Sequence, residues 1–150
     1  DMTVEEGIIR SINNLLQYGH KIILIYPIPE VGWNTSDKIL KEFKKKQIKK
    51  YTNKLFGNNK SLDTSIPDIT TSYDVYKKRT KRSFELLDRI ENPNIYKIYP
   101  HKLFCNKQIK NRCVASHGQN IYYIDNVHLT YKGSEMVNDL ILQKIKEMEK

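Results

Sequence analysis

The feature that most restricts the fold is a short, uniformly apolar run, Ile22-Ile23-Leu24-Ile25-Tyr26, with Gly19 before it and two prolines after it. Such a run is short for a helix and shows no polar alternation, so Lys21 to Ile28 is expected to form a buried strand. Pro27 and Pro29 remove ladder donors and Gly32 breaks what remains, which makes Pro27 to Asn34 a loop. Upstream, Thr3-Val4-Glu5-Glu6 has the form of a capping box, in which the Thr hydroxyl and the Glu carboxylate satisfy each other's orphan amides. Val4, Ile8, Ile12, Leu15 and Leu16 then recur at helical spacing up to Gly19, a natural stop. The chain opens with a helix-then-strand step.

That step repeats. From Ser36 to about Phe56, Ile39, Leu40, Phe43, Ile48, Tyr51 and Leu55 form an apolar stripe, while the Lys-rich remainder faces outward. Gly57 to Asp68 is polar and punctuated, as an exposed connection would be. Tyr73, Tyr76, Phe84, Leu87 and Ile90 mark a further helix ending near Asn92-Pro93, and Ile95 to Tyr99 reads as a strand. Ile121 to Ile124 is the last expected strand, followed by a helix from Tyr131 or Lys132 to about Glu147 with Thr130 as its cap. Helices alternating with short apolar strands predict an α/β fold, a three-layer α/β/α arrangement around a parallel sheet. Ligands are expected at the carboxyl ends of its strands. The 150 residues suit one hydrophobic core, so residues 1–150 are expected to form one domain.

Charge is the next constraint. The 26 Lys and Arg against 17 Asp and Glu give a formal net charge of +9, which raises nucleic acid as a partner. Lys outnumbers Arg, however, and Ile, Asn and Tyr are abundant, as codon bias in an AT-rich genome would produce, so no nucleic-acid partner is expected. The stretch Lys41 to Lys54 could track phosphates or meet an anionic glycan, but only Phe43 and Tyr51 interleave with its cations and both lie on the apolar stripe. It reads as the solvated face of an amphipathic helix. No apolar run approaches the ~20 residues of a membrane span. The chain begins with Asp1 rather than Met, and is expected to be a piece of a longer protein, truncated at its N-terminus.

Chemistry concentrates in Tyr122-Tyr123-Ile124-Asp125-Asn126-Val127-His128-Leu129-Thr130-Tyr131-Lys132-Gly133. A carboxylate on the turn leaving a strand can accept the Nδ1 hydrogen of an imidazole three residues on, which fixes the tautomer and leaves Nε2 to take a proton from a nucleophile. By spacing alone, Asp125 and His128 would equally suit a surface turn in which the Asp caps and the His is solvated. Context favours the catalytic reading. The pair follows an expected strand, Leu129 can anchor the turn in the core, and Gly133 lets the next helix approach closely.

Asp125-x-x-His128-Leu129-Thr130-x-x-Gly133 resembles the C-terminal block of the SGNH hydrolase superfamily, in the variant fused to family-three membrane acyltransferases, where the usual form is Asp-x-x-His-Leu-Ser-x-x-Gly-Ala. Thr130 replaces the Ser and Ser134 the Ala, both conservative at a helix start. Tyr26-Pro27-Ile28-Pro29-Glu30 is similar to that family's Pro-x-Pro-Glu loop, and Leu103-Phe104-Cys105 with Cys113 ahead of Ile121-Tyr122 is similar to its cysteine pair. From Asp37 to Asn92 the likeness is only in helical character. The resemblance implies an SGNH, flavodoxin-like fold. It also implies a mechanism in which a Ser in a Gly-Asp-Ser context attacks an ester carbonyl, His128 is the general base and Asp125 orients it. No Gly-Asp-Ser occurs, and Ser11, Ser36, Ser61, Ser65, Ser72, Ser83, Ser116 and Ser134 all lack that context. The nucleophile is expected upstream of Asp1, which would leave this chain catalytically incomplete.

Cys105 and Cys113 enclose a short loop, and a disulfide there would stabilise by roughly 2 to 3 kcal/mol. It would suit an oxidising compartment, and the resemblance implies the outer, periplasmic side of a bacterial inner membrane. Two other readings stand beside it. His101, Cys105, Cys113 and His117 could wrap a zinc ion, although seven residues between the cysteines is a poor fit to zinc motifs, or the two thiols could simply be buried. Trp33 could stack on a sugar ring or pack over its loop. Taken together, the expected function is O-acyl transfer, with acetyl as the expected acyl group, to or from a bacterial cell-surface glycan through a Ser ester. The partners would be a membrane acyltransferase domain and a glycan acceptor, with no metal or organic cofactor. The alternative is a non-catalytic glycan-binding or scaffolding domain of the same fold; a basic nucleic-acid module comes third.

Overall fold

The computed structural model describes residues 3–56 and 65–149. Helix α1, Val4–Gln17, starts at the capping box: Thr3 accepts from the Glu6 amide while the Glu6 carboxylate accepts from the Thr3 amide. It ends before Gly19, whose φ of +79° is the left-handed turn that glycine tolerates. Strand β1, Ile22–Ile25, follows and pairs in parallel with β2, Ile95–Ile98, in the register Ile22 to Ile95 through Ile25 to Ile98. Helix α2, Thr35–Leu55, is capped by Asn34, and helix α3, Tyr73–Asp88, by Ser72. The last helix, α4, Tyr131–Met148, is capped by Thr130. The chain thus forms an α/β fold with a parallel strand pair flanked by helices.

The core is divided into separate buried clusters. Ile12 of α1, Leu24, Tyr26 and Ile90 form one buried cluster, with Ile9, Leu16, Phe84 and Leu87 against it. Val31, Ile39, Phe104, Val114, Ala115, Tyr122, Tyr123 and Val137 belong to a second, which brings α2 and α4 together. Burying a large apolar side chain contributes roughly 1.5–3 kcal/mol, so these clusters, rather than the surface ion pairs, decide the packing.

Three findings differ from expectation. A second, antiparallel sheet joins Ile69–Ser72 (β3), Arg112–His117 (β4) and Asn120–Ile121 (β5) in the order β3-β4-β5. The expected strand from Ile121 to Ile124 is therefore the short second arm of a hairpin. Beyond it, Tyr123 makes an isolated antiparallel bridge to Leu129. Secondly, the apolar stripe of α2 is buried only near its start: Ile39 is enclosed, whereas Leu40, Ile48, Tyr51 and Leu55 are exposed because the helix runs on past the core. Thirdly, the covered face of α1 is Ile9, Ile12 and Leu16, and Val4, Ile8 and Leu15 lie outside it. The connection expected at Gly57 to Asp68 falls outside the described residues from 57 to 64.

Cys105 and Cys113 are joined as a disulfide, across a bridge that ties the start of β4 to the residue after the short helix His101–Phe104. Both sulfurs are used, so the His-Cys-Cys-His set is not available to zinc. His117 instead meets Asp68 at 3.0 Å, and His101 is enclosed by Tyr73, Tyr76, Phe84 and Tyr99. Among the described residues no group of three or more His, Cys, Asp or Glu is placed to hold a metal ion.

Reducing the Cys105–Cys113 bond should lower stability by roughly 2 to 3 kcal/mol, read as a lower urea midpoint with reductant than without. Gly133→Ala should cost on the order of 3 kcal/mol in the same assay, because a Cβ there would lie well inside van der Waals contact of the Tyr122 carbonyl and 3.1 Å from the Leu129 side chain.

Candidate active site

The turn from Ile124 to His128 is held by its own backbone. The Ile124 amide donates to the His128 carbonyl at 2.8 Å, and the Thr130 amide donates to Tyr122 O at 2.9 Å. Thr130 Oγ1 donates to Ile121 O at 2.7 Å and accepts from the Gly133 amide, so one side chain closes the turn and starts α4. Leu129 packs on the core cluster as expected.

Within the turn Asp125 is fully engaged. Its Oδ1 accepts from the amides of Val127 and His128 at 2.8 and 2.7 Å, and its Oδ2 lies 2.7 Å from His128 Nδ1. The two amide donations, helped by the imidazole contact, hold the carboxyl at a pKa of about 2, below the ordinary aspartate range. An ionised carboxylate only accepts, so Nδ1 must carry the hydrogen and Nε2 of the neutral ring keeps the lone pair. The His128 side chain is 74% exposed, which leaves Nε2 accessible to a reacting group. The geometry is that of an oriented base.

Three residues distant in sequence also fix the turn. The Val31 amide donates to Asn126 O at 2.9 Å, Thr35 Oγ1 donates to Asp125 O at 3.0 Å, and the Ser36 amide and hydroxyl both donate to Ile124 O. The loop after β1 and the first turn of α2 thus grip every carbonyl from Ile124 to Asn126. Nothing in the sequence marked Val31, Thr35 or Ser36 for this role, since the pairings span roughly ninety residues of chain.

Several serines have structural work. Ser36 grips the turn, Ser72 caps α3, Ser11 bonds the Gly7 carbonyl, and buried Ser116 donates to Pro67 O while accepting from the Ile69 amide. Ser61 lies outside the described residues. Trp33 is half exposed and has the Lys38 ammonium 3.6 Å from its ring centroid, so one indole face is already taken. Along Lys41 to Lys54, Lys45 pairs with Glu42 and Lys46 donates to Ser65.

The profile of the SGNH domain (fused to AT3 domains) matches residues 1–143, which include the whole Asp125–Gly133 block and the Pro27–Glu30 loop. The chain belongs to this family. No curated protein and no solved structure matches it. Among the described residues of this SGNH domain no helix is long and apolar enough to cross a membrane; the membrane connection comes from the AT3 domains to which the family is fused.

The SGNH domain's Asp125 should titrate with a midpoint near pH 2, read from its side-chain carboxyl carbon by NMR. Because its pKa is lower folded than unfolded, its contribution to stability is complete above the unfolded value. It is lost as pH falls from there through about 2. A midpoint at or above the ordinary aspartate value would show that the two amide donations are not made in solution.

Proposed function

We infer that this chain takes part in acyltransferase- or esterase-related chemistry, which its membership of a family of SGNH domains fused to AT3 domains supports. We propose that this domain carries the base half of a serine acyl-transfer site, with His128 as general base and Asp125 as its orienting acid, acting on a bacterial cell-surface glycan. The observation that carries the reading is the 2.7 Å contact of Asp125 Oδ2 with Nδ1 of an imidazole whose other face is open.

The proposed steps use that geometry. A serine contributed by the complete protein gives its hydroxyl proton to His128 Nε2 as its oxygen bonds the ester carbonyl carbon. Nε2–H then protonates the departing alkoxide, leaving an acyl-serine. An acceptor hydroxyl on the glycan next loses its proton to Nε2, attacks the acyl carbon and expels the serine, which recovers a proton. Throughout, Asp125 holds the ring and balances the imidazolium charge. Acetyl is the proposed acyl group, supplied by the AT3 domain, and the Cys105–Cys113 bond supports placing the domain on the periplasmic side. No metal or organic cofactor has a part in these steps.

In the complete protein, His128→Ala should lower kcat by roughly 10² to 10⁴. Asp125→Asn should lower it nearly as much, because an amide in that place can hold the wrong tautomer. Circular dichroism should be unchanged in both. Full turnover in either variant would remove that residue from the mechanism, and full turnover in both would leave a glycan-binding domain without catalysis.

A further inference from the structure

The carboxyl end of β1 opens into a second polar place. A cavity of about 350 Å³, at the small end of the range for small-molecule sites, lies between the loop at Pro27, Ile28 and Glu30 and the face of α3 that carries Tyr76, Arg79 and Ser83. Its floor is ordered: buried Tyr76 donates its hydroxyl to Pro27 O at 2.6 Å, and Thr80 donates to Tyr76 O at 2.9 Å. Its other polar groups are uncommitted. Among the described residues no hydrogen bond or ion pair engages the side chains of Glu30, Thr71, Arg79 or Ser83, beyond Thr71's place in the β3 ladder.

Of the two cations in the basic run at 77–82 that have no carboxylate partner among the described residues, Lys78 and Arg79, only Arg79 lines the cavity. The segment Lys77-Lys78-Arg79-Thr80-Lys81-Arg82 is strongly basic, yet Lys77 pairs with Asp74, Lys81 with Glu85 and Arg82 with Glu5. Arg79 lines the cavity without such a carboxylate, and Glu30, on the cavity's other wall, is not within ion-pair distance of it. A guanidinium and a carboxylate that are not paired with each other, lining one small cavity together with the Thr71 and Ser83 hydroxyls and with Pro27, Ile28 and Val75, match one chemistry well. Vicinal sugar hydroxyls donate to a carboxylate and accept from a guanidinium, while the ring's C–H face lies on apolar surface.

We propose that this cavity is a saccharide subsite, with Glu30 and Arg79 each holding a pair of ring hydroxyls. It adjoins the acyl-transfer site through the chain itself, since Val31, the residue after Glu30, is bonded to Asn126 in the Asp125–His128 turn. The inference deepens the glycan reading above and rests on it for the identity of the bound sugar as substrate.

The test uses the 150-residue chain with N-acetylglucosamine, galactose, glucuronate and inorganic phosphate as probes, read by amide NMR shifts without any turnover. At least one sugar should bind with roughly millimolar affinity and shift Thr71, Tyr76, Arg79 and Ser83. Glu30→Gln and Arg79→Met should each weaken that binding about tenfold, with the remaining spectrum intact. Ser83→Leu, which narrows the mouth, should do the same by a different route. No sugar binding, sugar binding indifferent to all three variants, or binding of phosphate alone would overturn the proposal. Absence of sugar binding would leave the acyl-transfer reading to the His128 and Asp125 variants, and inert His128 and Asp125 variants with sugar binding retained would leave the subsite standing.

Discussion

Helix α4 begins so close to the end of the antiparallel sheet that only glycine fits at its third position. The space that a Gly133 side chain would need is filled by the Tyr122 carbonyl and Leu129. That approach brings Thr130 within reach of Ile121 O and of the Gly133 amide, and the same closeness lets the Tyr122 carbonyl take the Thr130 amide. Between these fixed ends the chain has only the residues from Tyr123 to Leu129, and their path is the turn that presents the imidazole. Position and orientation of the His128 imidazole are therefore set by packing of a helix on a sheet, and the geometry of the Asp125–His128 pair is inherited from the core.

The site is supported from outside as well. Carbonyls that a tight turn leaves pointing outward would be unsatisfied without water or a partner. Here Val31, Thr35 and Ser36 supply the donors. The loop that supplies Val31 is itself tied down by Tyr76, whose hydroxyl holds Pro27 and whose ring packs with the Cys105–Cys113 disulfide. The covalent bond lies beneath the floor of the cavity, and the Asp125–His128 turn is held by the far part of the same loop.

Local features were legible in the sequence because they rest on short-range chemistry. The Thr3–Glu6 capping box, the stop at Gly19, the Thr130 cap and the apolar strands at Ile22 and Ile95 all appear where spacing and composition put them. The antiparallel sheet was not legible. Ile69-Thr70-Thr71-Ser72 is short and largely polar, and Cys113-Val114-Ala115-Ser116 is built of small residues with a weak periodic signal, so only pairing across some forty residues makes them strands. Overreach came from reading every apolar residue at helical spacing as buried, when α2 outruns the core it packs on. In the site, the Asp125-x-x-His128 spacing was readable as an arrangement, but the grip of Val31, Thr35 and Ser36 is a product of folding alone.

The commitment of both Asp125 oxygens has a consequence for charge flow. A carboxylate tied to two amides and one imidazole is held in place by three hydrogen bonds, and those bonds favour its anionic form. With a neutral ring the pair as a unit is an anion, and a proton on Nε2 makes it neutral overall. In the acyl-transfer reading proposed above, a proton taken from the nucleophile would arrive at a place already holding the opposite charge, so no net positive charge would build up at that spot, despite the surplus of cations over the chain as a whole.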